Sequence, residues 1–179
     1  TGEGIDYHDH DCYTSTVFPH PDMPALIAFH GDAQLKTLLV DEIKRHQKLD
    51  MIVQRTYGKE NGKWRGCAVG CSIHSLNISK GMNWETNDHL VYEKELGIPE
   101  RLAHLEDSIF EGLPEEEAIL FPRQFMDAIP VGADLSRIVA QFSEWLLIDD
   151  LQGVIRFARE EDKEIIRKVA SLHAREASG

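Results

Sequence analysis

Apolar residues recur at helical spacing along most of this chain, and the first long stripe is the clearest. Leu35, Leu38, Leu39, Ile43, Leu49 and Val53 fall on one face and predict a helix over 32–54. Asp32, just after Gly31, is placed to cap its start. Shorter helices are predicted downstream. One spans 87–96 and stops at Gly97, with Pro99 just beyond. Pro99 opens the next, which runs to Gly112 with Leu102, Leu105, Ile109 and Leu113 as its stripe. Pro114 opens a further piece whose early carboxylates, Glu115, Glu116 and Glu117, suit a helix N-terminus, and Pro122 kinks or divides it. Asp134 reads as the cap of an amphipathic helix that turns Leu135, Ile138, Val139, Phe142, Trp145 and Leu146 inward. After Gly153, residues 154–157 read as an extended segment or a first helical turn. The last helix, 160–176, is expected to bury Ile165, Ile166, Val169 and Leu172.

Other stretches lack that periodicity. Pro19, Pro21 and Pro24 break any long element in residues 1–31, which are expected to form an irregular arm. Its run Tyr7-His8-Asp9-His10-Asp11-Cys12-Tyr13 alternates metal-ligand residue types but reads as polar surface. Asn61-Gly62 is a two-residue turn signal and predicts a short hairpin between 55–57 and 63–65. Residues 67–76 read as a short helix or a tight buried loop, and 77–85, with Gly81, as a loop. No repeat, low-complexity tract or linker divides the chain. The expected fold is mostly α: a single-domain irregular helical bundle over 32–179, with one short β-hairpin near Asn61-Gly62 and an irregular N-terminal arm over 1–31.

Length and composition narrow the function classes. At 179 residues, 42% hydrophobic and 28% charged, the chain can bury a sizeable core as one domain. A net charge of −12 disfavours direct nucleic-acid binding, which needs clustered Lys and Arg, and leaves a protein partner favoured. No apolar run approaches the roughly 20 residues of a membrane helix, so no membrane partner is expected. The start shows no signal-peptide pattern, and with Thr1 in place of a methionine the chain is expected to continue upstream. Three cysteines are too few and too odd for a disulfide scaffold, so a reduced, cytoplasmic setting is expected.

Two constellations carry candidate chemistry. Cys67, Cys71 and His74 share a face if their segment is helical, but Cys67 to His74 then spans roughly 10 Å of rise. That is too far for all three to bind one ion at bonds of about 2.3 Å. The pattern is one residue away from the Cys-x3-Cys-x2-Cys loop of radical SAM enzymes, but the third cysteine is missing and the chain is short for their usual barrel, so that reading is rejected. Gly66, Cys67, Gly70 and Cys71 read most simply as small residues that let another helix approach closely. In the second constellation Glu42, His46, Asp50 and Glu106 fall on predicted inner faces, and His89 with Glu93 can join them. Inward carboxylates and histidines must pair or bind a cation, and helical bundles build divalent-metal sites from them. His46 with Asp50 reads equally as a satisfied structural pair. Nucleotide-binding glycine loops, the His-Glu-x-x-His helix and the Gly-x-Ser-x-Gly elbow are absent.

The run Arg65-Gly66-Cys67-Ala68-Val69-Gly70-Cys71-Ser72-Ile73-His74-Ser75 resembles a set of bacterial and phage-borne hypothetical proteins. So do residues 89–99 and 102–114, and the run Ala128-Ile129-Pro130-Val131-Gly132-Ala133-Asp134. The resemblance covers the chain from about Asp41 onward. It implies a bacterial or phage source and a cytoplasmic setting, and that group has no assigned activity to carry over. The leading expectation is an acidic helical protein that acts by binding a partner. The alternatives are a metal-dependent, hydrolase-like enzyme using His46, Asp50 and Glu106, and a thiol redox protein using Cys67 and Cys71.

Overall fold

A computed structural model describes residues 25–58 and 64–178. These residues form eight α-helices: α1 (Ala33–Lys48), α2 (Ala68–Lys80), α3 (Leu90–Leu96), α4 (Glu100–Gly112), α5 (Glu115–Ala118), α6 (Phe121–Ala128), α7 (Ile138–Ile148) and α8 (Glu160–Ser178). The protein is mostly helical, as the periodicity predicts. Asn61-Gly62 and the Tyr7–Tyr13 run lie outside the described residues. Around the former, the described backbone shows a parallel bridge between Ile52 and Gly66.

α2 is the centre. Ala68, Val69, Gly70, Cys71, Ser72, Ile73, Ser75 and Leu76 are all buried, so over the first two and a half turns only His74 reaches part-way to solvent. A helix that is apolar all round belongs inside, and α1, α4 and α6 pack around it. The structure resolves the ambiguity of 67–76 in favour of a helix and extends it to Lys80. Gly81 is its left-handed C-cap (φ 65°) rather than part of a loop interior. Asn77 then clamps the following loop, donating to the Trp84 carbonyl and accepting from the Trp84 N–H, both at 2.8 Å.

Several boundaries differ from the pattern. α1 begins as expected, with Asp32 accepting from the Gln34 and Leu35 N–H groups, but it stops at Lys48 instead of 54. The chain turns at Asp50, which has a positive φ of 53°, and residues 51–57 run back over the start of α2. α4 is rotated from its predicted stripe. Ala103, Glu106, Asp107 and Phe110 are buried, while Ile109 is partly exposed. Residues 25–31 are not an outlying arm: Ala28 and Phe29 are fully buried, and the Ala28 N–H donates to the Ala133 carbonyl. Asp134 does not cap α7. It accepts from the Ser136 N–H, and the helix starts four residues later.

The largest departure is at the C-terminus. α7 and α8 pack on each other as an antiparallel pair, and their contacts with the other helices are few. Only Ala140 and Ala170 are buried within them. Trp145, Leu146, Ile165, Val169 and Leu172, all expected inside, are exposed. Ile166 does turn toward the pair's seam. No helix among the described residues is long and apolar enough to cross a membrane.

Candidate functional site

The start of α2 sits beneath residues 51–57 and beside α3 and α4, and it collects most of the buried polar groups. Cys67 is the N-cap: its thiol sulfur accepts from the Gly70 N–H at 3.4 Å. Its own N–H donates to the Thr56 carbonyl at 2.6 Å. Close by, the Tyr57 hydroxyl donates to Asp107 Oδ2 at 2.7 Å, and His89 Nε2 lies 3.4 Å from the same oxygen. Burial works against the Asp107 anion, but His89, Tyr57 and the Cys67 thiol outweigh it and lower its pKa. For His89, burial is likewise outweighed, by Asp107 and by the Asn87 carbonyl on Nδ1, and its pKa rises. The ring stacks on His104 with centroids 3.8 Å apart.

One turn deeper the environment inverts. Ser72, Tyr92 and Glu106 are fully buried, and none of their four side-chain oxygens has a well-formed hydrogen bond. They are near enough to act on one another. Burial dominates and lifts the Glu106 pKa to about 8, although the Tyr92 hydroxyl pulls the other way. Glu106 is therefore a neutral acid at pH 7, which removes most of the cost of burying it. Two carboxyls adjacent in sequence thus hold opposite protonation states, because burial outweighs the Tyr92 hydroxyl at Glu106 while His89, Tyr57 and the Cys67 thiol outweigh burial at Asp107.

A third polar group lies between α1 and α2. His46 is fully buried and His74 is half-buried, stacked on Trp64 with centroids 3.9 Å apart and planes 6° from parallel. Arg45 Nη2 approaches His46 Nε2 at 3.3 Å. An arginine only donates, so Nε2 accepts and the proton sits on Nδ1, which has no partner. Burial, then Arg45, lowers the His46 pKa to about 4.

The predicted site residues therefore fall in separate environments. Asp50 does not meet His46: the early end of α1 turns it outward, where it pairs with Arg65 at 2.6 Å. Glu42 is not buried; it accepts from Arg45 at 2.6 and 2.9 Å, and that bond lowers its pKa. Glu93 caps α4, accepting from the Glu100 N–H at 3.2 Å. Of them, Cys67, His89 and Glu106 enter the α2–α3–α4 cluster, Cys67 and His89 beside Asp107 and Glu106 in the deeper half. Among the described residues no three His, Cys, Asp or Glu side chains are grouped to hold a metal ion. Cys67 and Cys71 are free and buried, and burial raises both thiols, the direction opposite to a nucleophilic thiolate.

Asp107, Tyr92, Ser72 and Tyr57 belong to the cluster and were missed. Asp107 had a signal, since Ala103, Asp107 and Phe110 share helical spacing with Glu106. Tyr92 had one too, three residues after His89 and four before Leu96. Nothing local marks Tyr57, which arrives through the turn after α1. Chemically the cluster is a polar strut binding α2, α3, α4 and the 51–57 segment together.

The other distinctive surface is the α7–α8 pair. Ile165, Val169 and Leu172 form a stripe at i, i+4 and i+7 about a quarter turn from the seam residues Ile166, Ala170 and His173. On the α7 side an open groove of about 550 Å³ is lined by Gln141, Glu144, Trp145, Ile148, Asp149 and Asp150. The connecting turn projects Leu151, 74% exposed, and Phe157, 82% exposed.

No protein-family model matches the chain, and neither the curated proteins nor the solved structures contain a significant match to it.

Proposed function

We propose that this chain is an interaction protein that acts by binding a protein partner through the α7–α8 hairpin. One observation carries the reading. Ile165, Val169 and Leu172, a stripe patterned like a core, lie 63%, 39% and 51% exposed along one helix. Single exposed leucines are ordinary, but an aligned stripe beside exposed Trp145 and Leu146 is what binding faces look like. The acidic charge of the chain supports a protein rather than a nucleic acid as the partner. The metal-hydrolase and thiol-redox alternatives have no comparable support, since their candidate residues are dispersed or buried with raised thiols.

A photo-crosslinking residue at position 169 tests the proposal, with position 116 on exposed α5 as control. A discrete adduct is expected at 169 and none at 116. It should vanish when Ile165→Lys and Leu172→Lys are combined, while helicity stays at the parent value. No adduct at 169, or the same one at both positions, overturns the reading.

A further inference from the structure

We infer that the partner is a second copy of this chain, docked hairpin against hairpin with the two copies running antiparallel; the inference rests on the interaction reading above. The shape comes first. In a four-helix bundle each helix contacts two neighbours, so it needs two adjacent apolar faces. α8 has both. Ile166 and Ala170 face α7, and Ile165, Val169 and Leu172 form the next face round, which the described residues leave 63%, 39% and 51% exposed. A two-helix hairpin with such open faces is half a bundle, and a two-fold axis supplies the other half with the same surface.

The area is sufficient. Eight large apolar residues of the hairpin and its turn are exposed, and together they show on the order of 800 Å², about what each partner contributes to a standard interface.

The charge selects both the partner and its direction. The tip of the hairpin, residues 144–164, holds seven carboxylates against three cations. Its base, residues 137–143 with 165–178, holds four cations (Arg137, Arg167, Lys168 and Arg175) against Glu176 alone. A parallel pair would set tip on tip and oppose like charges. An antiparallel pair sets each acidic tip on the other copy's basic base, so each copy carries the complement its twin needs. The groove around Trp145 and Ile148, rimmed by Glu144, Asp149 and Asp150, would then face the basic half of the other α8.

Sedimentation velocity of the whole chain at micromolar concentrations should find a species of twice 20.3 kDa. Two charge-reversed chains make the test specific. One carries Glu160→Lys, Glu161→Lys and Glu164→Lys at the tip. The other carries Arg167→Glu, Lys168→Glu and Arg175→Glu at the base. Each alone should self-associate at least about tenfold more weakly, because tip and base now share a sign. Mixed one to one, they should recover a dimer containing one of each. A parent that stays monomeric, or reversed chains that fail to recover on mixing while remaining folded, overturns the second-copy inference. The combined Ile165→Lys and Leu172→Lys variant separates that outcome from failure of the interaction reading. An unchanged melt leaves the stripe as a free face for a different partner. A melt lowered by several degrees in a monomeric parent shows that the stripe is packed by the chain itself, and both proposals fall.

Discussion

Glu106 shows how one buried group sets a pH dependence. Its pKa is 4.5 in an unfolded chain and about 8 in place, so the folded state holds a proton that the unfolded state has lost across that interval. Stability from this group is full below pH 4.5 and declines as pH rises toward 8. His46 has the opposite sign. Its pKa falls from 6.5 to about 4, so it adds stability as pH rises through that range and nothing further above it. The two oppose each other up to pH 6.5. Beyond that point Glu106 acts unopposed by His46, and His89, whose raised pKa also makes its contribution fade with rising pH, adds to the decline. Denaturant melts should therefore show stability falling from pH 6.5 to 8, with Glu106 accounting for about 2 kcal/mol. Glu106→Gln should flatten most of that slope, and an unaltered slope would remove Glu106 as its source. At Cys67 and Cys71 burial and raised thiol pKa predict slow native labelling by a thiol reagent, with fast labelling only on unfolding.

Among the elements, α2 depends on what its small residues admit. A Cβ on Gly70 would overlap the carbonyl oxygen of Tyr57, so the glycine makes room for the backbone of the 51–57 segment and not for another helix. That approach is also what places the Tyr57 hydroxyl on Asp107. Gly70→Ala should cost about 1–3 kcal/mol and weaken that bond. Gly97 has two reasons to be glycine. Its φ is +62°, and a Cβ would overlap the Ile27 carbonyl oxygen. Gly97→Ala should lose at least about 2 kcal/mol, roughly 5 °C or more in melting temperature for a chain of this size. Gly112, the last residue of α4, has neither constraint, with open space where a Cβ would go. Gly112→Ala should be neutral or gain up to about 1 kcal/mol, and thermal melts of the three variants side by side check the order.

At the scale of the whole molecule, stability should be uneven. α2 is enclosed by α1, α4 and α6, whereas α7 and α8 rely mainly on each other. Amides in the first half of α2 should exchange with solvent only through global unfolding, while those in α7 and α8 exchange through a cheaper local opening. Hydrogen exchange followed by mass spectrometry should rank them so. Protection in α8 should also rise with protein concentration, because the association proposed above would cover the same faces. Equal protection across α2 and α8 at high dilution would mean that the hairpin is bound into the core more firmly than its contacts imply.

The sequence by itself determined the helical class, the Asp32 cap, the Gly97 stop and the prolines that open α4 and α5, because each is a local matter of period, capping or a fixed φ. It also singled out the small-residue run that becomes the central helix. It placed His46 and Glu106 on inner faces, and both are buried. Tertiary structure decided what those residues meet. The end of α1 at Lys48 depends on the return of 51–57 over α2, and it separates Asp50 from His46. The quarter-turn choice of stripe in α4 depends on which neighbours fill the space, and it brings Asp107 in beside Glu106. The pattern in α7 and α8 reads as burial whether an apolar face meets its own chain or another one. Periodicity reports only that a face avoids water, and the burial of Ala140 and Ala170 beside exposed Trp145, Ile165 and Leu172 shows that, among the described residues, packing covers just part of the apolar surface these helices are patterned for.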